Sequence, residues 1–257
     1  MSNYTVSGCI VTYNNMKSIG DTLQSLFEQT KDISFKLYIV DNGSTDGTVE
    51  FIEENYPEAK VIRTPENIGF GAGHNFILEF LQSDYHAIIN PDILIRDNVL
   101  KTICDYMEEN SDAGLVSPKI CFPDGRLQIL GKRYPKLRYL AASRLRNDEE
   151  PGKLLREYAM LDRDPDSEMD IESASGCFMV IRTPLFKKLG GFDDRYFMYF
   201  EDFDLSRTVN LHSKVRYYPK AVIYHVWGRD SKRDMKLKMI HIKSMFKYFA
   251  KWSGKKQ

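Results

Sequence analysis

The side chains that could do chemistry in this chain are carboxylates placed at the ends of apolar runs. Asp41 follows "KLYIV" and opens "DNGSTDGT"; Asp92 stands one proline beyond "YHAIIN", in "NPDILI"; Glu201, Asp202 and Asp204 crowd into "FMYFEDFDLSRT". A carboxylate at the C-terminal end of a strand can accept hydrogen bonds from a ribose or a nucleobase. Asp92 offers the hard oxygen ligand that a divalent cation bridging two phosphates needs. Acids set among aromatic residues are partly desolvated, which raises their pKa toward the value a general base requires. Each has a plainer reading beside it. Asp41 could simply form a turn, with Ser44 or Thr45 capping the next helix; Asp92 could belong to an Asn-Pro-Asp turn, although Asp97 looks the better cap there; and the acids of "FEDFD" could cap a helix.

The segment "NIGFGAGHN" sets Gly69, Gly71 and Gly73 between a strand and a helix, where glycine lets the backbone approach a diphosphate. It is neither a Walker loop nor the dinucleotide GxGxxG, and a structural glycine turn is the alternative. His225 ends "AVIYHVW"; it is either a satisfied core residue or a ligand to the same cation. Beyond it, "GRDSKR" offers Arg229, Lys232 and Arg233 to phosphates or to solvent.

These groups need a scaffold, and the first half of the chain spells one. Short apolar runs ("SGCIVTY", "KLYIV", "AKVIRT", "YHAIIN") alternate with helical patterns ("KSIGDTLQSLFEQT", "TVEFIEENY", "AGHNFILEFLQ", "DNVLKTICDYMEEN"). That alternation predicts βαβ units and an α/β fold, a mostly parallel sheet flanked by helices, with ligands at the strand C-termini. From Gly114 the pattern changes: "GLVSPKI" reads as a strand, Pro123 to Gly125 as a tight turn, and residues from about 131 to 172 as a polar, flexible segment or flap. Pro184 suits the start of a short helix, and Gly190 with Gly191 its end. Toward the C-terminus Met235, Met239, Ile242, Met245, Phe246, Phe249 and Trp252 recur at helical spacing among lysines. This predicts a basic amphipathic helix over residues 229–257, set against an anionic membrane surface, the protein's own sheet, or a second subunit of a homodimer.

Of the 257 residues 36 are basic and 36 acidic, so no bulk charge favours nucleic acid as a partner. Cys9, Cys104, Cys121 and Cys177 lie far apart without zinc spacing and read as buried thiols of a reducing compartment. With no signal sequence and no apolar run of membrane-spanning length in view, the expectation is a cytoplasmic protein.

Taken in order, "CIVTYNN", "VDNGSTDGT", "NIGFGAGHN", "NPD", "SGCFMVIRTPLFKKLGGFDDRYFMYFEDFDLSRT" and "YYPKAVIYHVWG" resemble glycosyltransferase family 2. This is an inverting group of GT-A (Rossmann-like) fold, and the likeness is greatest to its rhamnosyltransferase-like members. The resemblance implies a single GT-A domain over 1–228, with a nucleotide-binding half to 112 and an acceptor half after it. It implies that Thr12, Tyr13, Asn14 and Asp41 line a nucleotide pocket, and that Asn67, Gly69, Gly71, Gly73, Asn75, Asn90, Gly176, Cys177 and Arg229 lie about the donor, with a weaker implication for Ser231. Asp92 and His225 would hold Mn2+ or Mg2+, Asn90 replacing the first acid of the family's metal-binding triplet. Asp202 would be the catalytic base and Glu201 an acceptor contact or its understudy. The implied reaction moves a sugar, L-rhamnose from dTDP-L-rhamnose, onto a saccharide or polyprenyl-linked acceptor of bacterial cell-surface polysaccharide. A UDP- or GDP-sugar transferase, a nucleotidyltransferase and a non-catalytic nucleotide-sugar-binding subunit are the rival readings.

Overall fold

The computed structural model describes residues 3–144, 150–226 and 234–254. In the first half, β1 (Thr5–Thr12), α1 (Ile19–Gln29), β2 (Ser34–Asp41), α2 (Thr48–Asn55), β3 (Lys60–Arg63), α3 (Phe70–Asn75), β4 (Tyr85–Ile89) and α4 (Val99–Glu109) follow the expected alternation, with an additional strand, β5 (Ile93–Ile95), between β4 and α4. The second half contains β6 (Ala113–Cys121), α5 (Leu137–Arg144), α6 (Lys153–Tyr158), β7 (Met169–Asp170), β8 (Phe178–Arg182), α7 (Thr183–Leu189), α8 (Glu201–Val209), β9 (Lys214–His225) and α9 (Met235–Trp252).

All the strands join one sheet in the order β3-β2-β1-β4-β8-β6-β9-β5, with β7 paired to β9. The neighbours β3, β2, β1 and β4 pair in parallel. Strand β8 runs antiparallel to both β4 and β6, and β9 runs parallel to β6. Two reversals restore direction, so β1, β2, β3, β4, β6 and β9 all end at one rim, where β8 begins. That rim gathers Thr12, Asp41, Asn90, Cys177 and His225 from distant parts of the chain.

Alternation along each strand divides the core. Val6, Ile10, Leu37 and Ile39 face a layer with Ile19 and Leu23 of α1 and Ile103 of α4. Their neighbours Cys9, Val11, Tyr38 and Val40 face Phe186 of α7 and Leu205 and Val209 of α8. Strands covered on both sides read as unbroken apolar runs, which is how β1 and β2 appear in the sequence. Helix α1 is held by Ile19, Leu23 and Leu26, all buried at helical spacing, and such burial contributes about 2 kcal/mol per side chain.

Several local expectations change. Helix α2 starts after Gly47, at φ 87° and without a side-chain cap, so neither Ser44 nor Thr45 caps it. Asp46 instead accepts the Thr48 N–H at 3.1 Å. Helix α4 is capped by Asn98, whose side chain accepts the Lys101 N–H at 3.0 Å, and not by Asp97. The helix expected over "AGHNFILEFLQ" reduces to six residues and a separate 3-10 turn at Leu78–Phe80. The segment expected to be a flexible flap contains α5, α6 and β7, with a small core of Ile129, Tyr139, Leu155, Tyr158 and Ala159. Sparse periodicity hid it, because two helices of six to eight residues bury only one or two side chains each. Pro184 does open α7, and Gly190, at φ 77°, ends it.

The apolar residues of α9 do not share one face. Tyr248 and Trp252 pack with Tyr196 and Phe200, flanked by Met245 and Phe249. Met235, Met239 and Phe246 stay 66%, 49% and 66% exposed. Among the described residues no helix is long and apolar enough to cross a membrane.

Candidate active site

At the β1 and β2 end of the rim, two loops are tied together by Asn14. Its backbone is left-handed at φ 56°. Its N–H donates to Ser44 Oγ at 2.9 Å, while its Oδ1 accepts the Thr45 N–H at 2.8 Å. Asp41 folds the second loop onto itself by accepting the N–H groups of Gly43 (3.1 Å) and Ser44 (3.0 Å). Thr12 is buried beside it in register, its hydroxyl donating to Asn15 Oδ1 at 3.0 Å. Tyr13 leaves 50% of its surface open at this edge, an aromatic face on which a base can stack.

The glycine segment is crowded by protein. A Cβ at Gly69, whose φ is 93°, would lie 2.2 Å from the Phe197 carbonyl oxygen, so only glycine fits. At Gly71 it would meet Phe192 Cβ at 2.9 Å, and at Gly73 the Val11 methyls at 2.8 Å. Asn67 accepts the Gly69 N–H at 3.0 Å, and the Gly69 carbonyl accepts Asn42 Nδ2 at 3.1 Å. Asn75 accepts the Phe192 N–H (2.8 Å) and donates to the Phe192 carbonyl (2.7 Å) and to Asp194 (2.8 Å). Its amide thus fastens α3 to the segment leading into α8.

That fastening positions the acids. Tyr199 and Phe200 both have positive φ, 69° and 71°, a costly conformation for such residues, and it turns the chain sharply into Glu201 at the head of α8. Asp202 Oδ2 accepts the Gly176 N–H at 3.1 Å, and Oδ1 accepts the Phe203 N–H at 2.8 Å. Glu201 is buried, and its Oε2 has no hydrogen-bond partner. Burial raises the pKa of both acids; the Asp202 charge raises Glu201 further, while the backbone N–H groups oppose the rise at Asp202. Backbone N–H groups oppose the rise at Glu201 as well, so the two adjacent acids hold their protons as a pair. Asp204 is different: it accepts Lys251 Nζ (2.6 Å), Trp252 Nε1 (2.8 Å) and the Tyr196 hydroxyl (3.2 Å), and so anchors α9.

The floor between the acids and the Asn-Pro-Asp turn is Gly176 and Cys177. The Cys177 carbonyl accepts the Asn90 N–H at 2.8 Å. Burial pushes the Cys177 thiol up to about 12, so it stays neutral and is no nucleophile.

Past the turn, β5 runs antiparallel to β9 with Ile93 opposite His225. Asp92 Oδ1 lies 3.4 Å from His225 Nε2 and is buried without a hydrogen-bond partner. An orphaned carboxylate oxygen facing an imidazole nitrogen suits a hard divalent cation. No group of three or more His, Cys, Asp or Glu that could hold a metal occurs among the described residues. Two protein ligands fit a cation that takes its other oxygens from substrate phosphates and water. Gln128, which sequence reading missed, stands behind His225, buried and bonded to it. Its signal was an amide inside the apolar run "LQIL", just after the "PDG" turn. Arg229, Ser231, Lys232 and Arg233 lie outside the described residues. A surface depression of about 520 Å³ lined by Gln24, Phe27, Thr30 and Tyr56 sits at the opposite end of the strands, away from these groups.

Comparison with known proteins bears on the family and the fold. A sequence model of Glycosyl transferase family 2 matches residues 7–190. An N-acetylglucosaminyl-diphospho-decaprenol L-rhamnosyltransferase of Mycobacterium tuberculosis is 27% identical over 236 residues, 87% of this chain and 76% of that protein. The rhamnosyltransferase WbbL of Escherichia coli is 27% identical over 195 residues, 71% of this chain and 70% of that one. In fold, the chain matches a crystal structure of GalNAc-T7 with UDP, GalNAc and Mn2+ at TM-score 0.65 and 14% identity. That match covers 87% of this chain but only 43% of the solved one.

Proposed function

The chain belongs to glycosyl transferase family 2, and from that premise we propose that it moves a sugar, with inversion, from a nucleotide-sugar donor to a saccharide or polyprenyl-linked acceptor. L-Rhamnose from dTDP-L-rhamnose is our choice of donor, supported by the two rhamnosyltransferase relatives. The observation that carries the reading is Asp202, set beside Glu201 and held by the Gly176 N–H at 3.1 Å, on the rim that also bears Asp41, Asp92 and His225.

In this reading Thr12, Asn14 and Asp41 hold the nucleoside and Tyr13 stacks on its base. Asp202 accepts the proton of the acceptor hydroxyl while that oxygen bonds to the anomeric carbon. The bond from that carbon to the phosphate oxygen breaks, and its electron pair leaves with the nucleoside diphosphate. Displacement from the opposite face inverts the configuration, and no residue need form a covalent intermediate. A divalent cation, Mn2+ or Mg2+, bound by Asp92 and His225 would offset the charge growing on the departing diphosphate. Glu201, neutral, donates a hydrogen bond to the acceptor and keeps a second negative charge away from Asp202. The exposed Met235, Met239 and Phe246 of α9, flanked by Lys236 and Lys243, would rest on an anionic membrane surface that presents the acceptor.

The test is a donor screen. The protein is incubated with Mn2+ or Mg2+, a lipid-linked acceptor and each of dTDP-rhamnose, UDP-sugars and GDP-sugars, and nucleoside diphosphate release is recorded. Metal-dependent release from one donor, lost in Asp92→Ala, supports the reading and names the sugar. Release of diphosphate from a nucleoside triphosphate instead would mark a nucleotidyltransferase.

A further inference from the structure

We propose that Gln128 is a positioning residue that holds His225 in the tautomer whose Nε2 lone pair faces Asp92. The inference rests on the cation-assisted reading above and assigns a role to a residue outside the rim. Gln128 is 1% exposed. Its Nε2 lies 2.7 Å from the His225 carbonyl oxygen and 3.3 Å from that of Cys121. Carbonyl oxygens only accept, so the amide's NH2 end is fixed on that side by two acceptors. Oε1 is then the atom 3.1 Å from His225 Nδ1. An amide oxygen cannot donate, so the proton in that contact belongs to Nδ1.

The consequence reaches the rim. A neutral imidazole protonated at Nδ1 carries its lone pair at Nε2. That nitrogen lies 3.4 Å from Asp92 Oδ1, which is buried and makes no hydrogen bond. The other tautomer would place a proton between the two and join them as donor and acceptor, closing the pair to a cation. Gln128 thus leaves two acceptors facing each other, an arrangement that a cation between them resolves. By bonding the Cys121 and His225 carbonyls, the same amide joins the ends of β6 and β9, so the ring and the strand that carries it are set together.

Nuclear magnetic resonance on protein with 15N-labelled histidine rings tests the assignment without any substitution in the protein measured. The chain has five histidines, and His225→Asn, made only to assign the signal, identifies the ring. The expected result is a protonated Nδ1 and an unprotonated Nε2 in the neutral ring; the reverse pattern, or an even mixture, overturns the proposal. The second measurement is Mn2+ affinity in the presence of dTDP, read by electron paramagnetic resonance. Gln128→Leu should weaken Mn2+ binding about 10- to 100-fold, whereas Gln128→Glu, which keeps an oxygen against Nδ1, should stay within a few-fold of wild type. Equal loss in both variants would mean that Gln128 only joins the strands, and overturns the proposal. Wild-type protein that binds no Mn2+ overturns the cation reading itself, while the ring measurement on the same sample still decides the tautomer.

Discussion

The Asp202 carboxylate accepts the backbone N–H of Gly176 at 3.1 Å across 26 residues of sequence. This contact joins the head of α8 to the turn that opens β8 and fixes a carboxylate that would otherwise rotate. With the Phe203 N–H it gives Asp202 a donor at each carboxylate oxygen, whereas Glu201 Oε2 has none.

Asp202→Asn should lower turnover about 10²- to 10⁴-fold, the range expected for loss of a general base. The amide keeps an oxygen to accept one of the two N–H groups, so the fold and donor affinity should change little. Steady-state rates, together with calorimetric titration of the donor, separate these outcomes. Equal loss of turnover and donor binding would sink the base assignment.

Glu201 gives a pH signature. Burial and the Asp202 charge raise its pKa above the ordinary glutamate value of 4.5. A raised folded-state pKa means the folded protein binds the proton more tightly than the unfolded chain. The resulting stabilisation is fully present below the unfolded value and is lost as pH rises through the folded one. Glu201→Gln, neutral at every pH, should therefore show a shallower fall in stability than wild type between about pH 5 and about pH 8. Urea unfolding of both proteins across that range makes the comparison, and parallel curves would refute it.

Much of this was legible in the sequence, and the losses have physical causes. The alternation of apolar runs and amphipathic helices gave β1 to β4 with α1, α2 and α4, because burial on both faces leaves strong patterns, but not β5 or the shortness of α3. The reversed direction of β8 was not legible: its four buried residues would read alike in either sense. Asp41, Asp92 and His225 stood out because a polar group ending an apolar run is conspicuous, and Asp202 because acids crowd there among aromatic residues. Gln128 was passed over because an amide in an apolar run looks neutral until its partners are seen. The contacts of Asn75 and Gly73 with Phe192 and Val11 were not legible, because they are supplied by chain far away in sequence. Asp204 looked like a third candidate base, and only the cation and indole of the distant α9 distinguish it.

Asp204→Asn tests that distinction. It removes the charge that receives Lys251 while leaving Asp193, 2.7 Å from the same ammonium. Because Asp204 is 2% exposed on its side chain and Lys251 18%, breaking the pair should cost about 2 kcal/mol. Tryptophan fluorescence should report the change, since Trp252 Nε1 donates to the same carboxylate. Turnover measured well below the melting temperature should remain within a few-fold of wild type. A loss as large as that of Asp202→Asn would instead make Asp204 part of the reaction.

The exposed side of α9 makes the last prediction. Met239 and Phe246 present apolar surface beside Lys236 and Lys243, whereas Lys247 and Lys251 are bonded back to the protein through the Arg195 carbonyl and Asp193. Attraction to an anionic surface thus falls to the first pair, each lysine contributing about 1 kcal/mol near such a membrane. Replacing both with Glu should weaken sedimentation with phosphatidylserine vesicles at least tenfold, and Phe246→Glu should do so even at low salt, where charge attraction alone is strongest. Neutral vesicles should bind little of any variant. Because Tyr248 and Trp252 hold the opposite face, these substitutions should leave the melting temperature nearly unchanged. Undiminished vesicle binding in all of them would assign the exposed face to a protein partner.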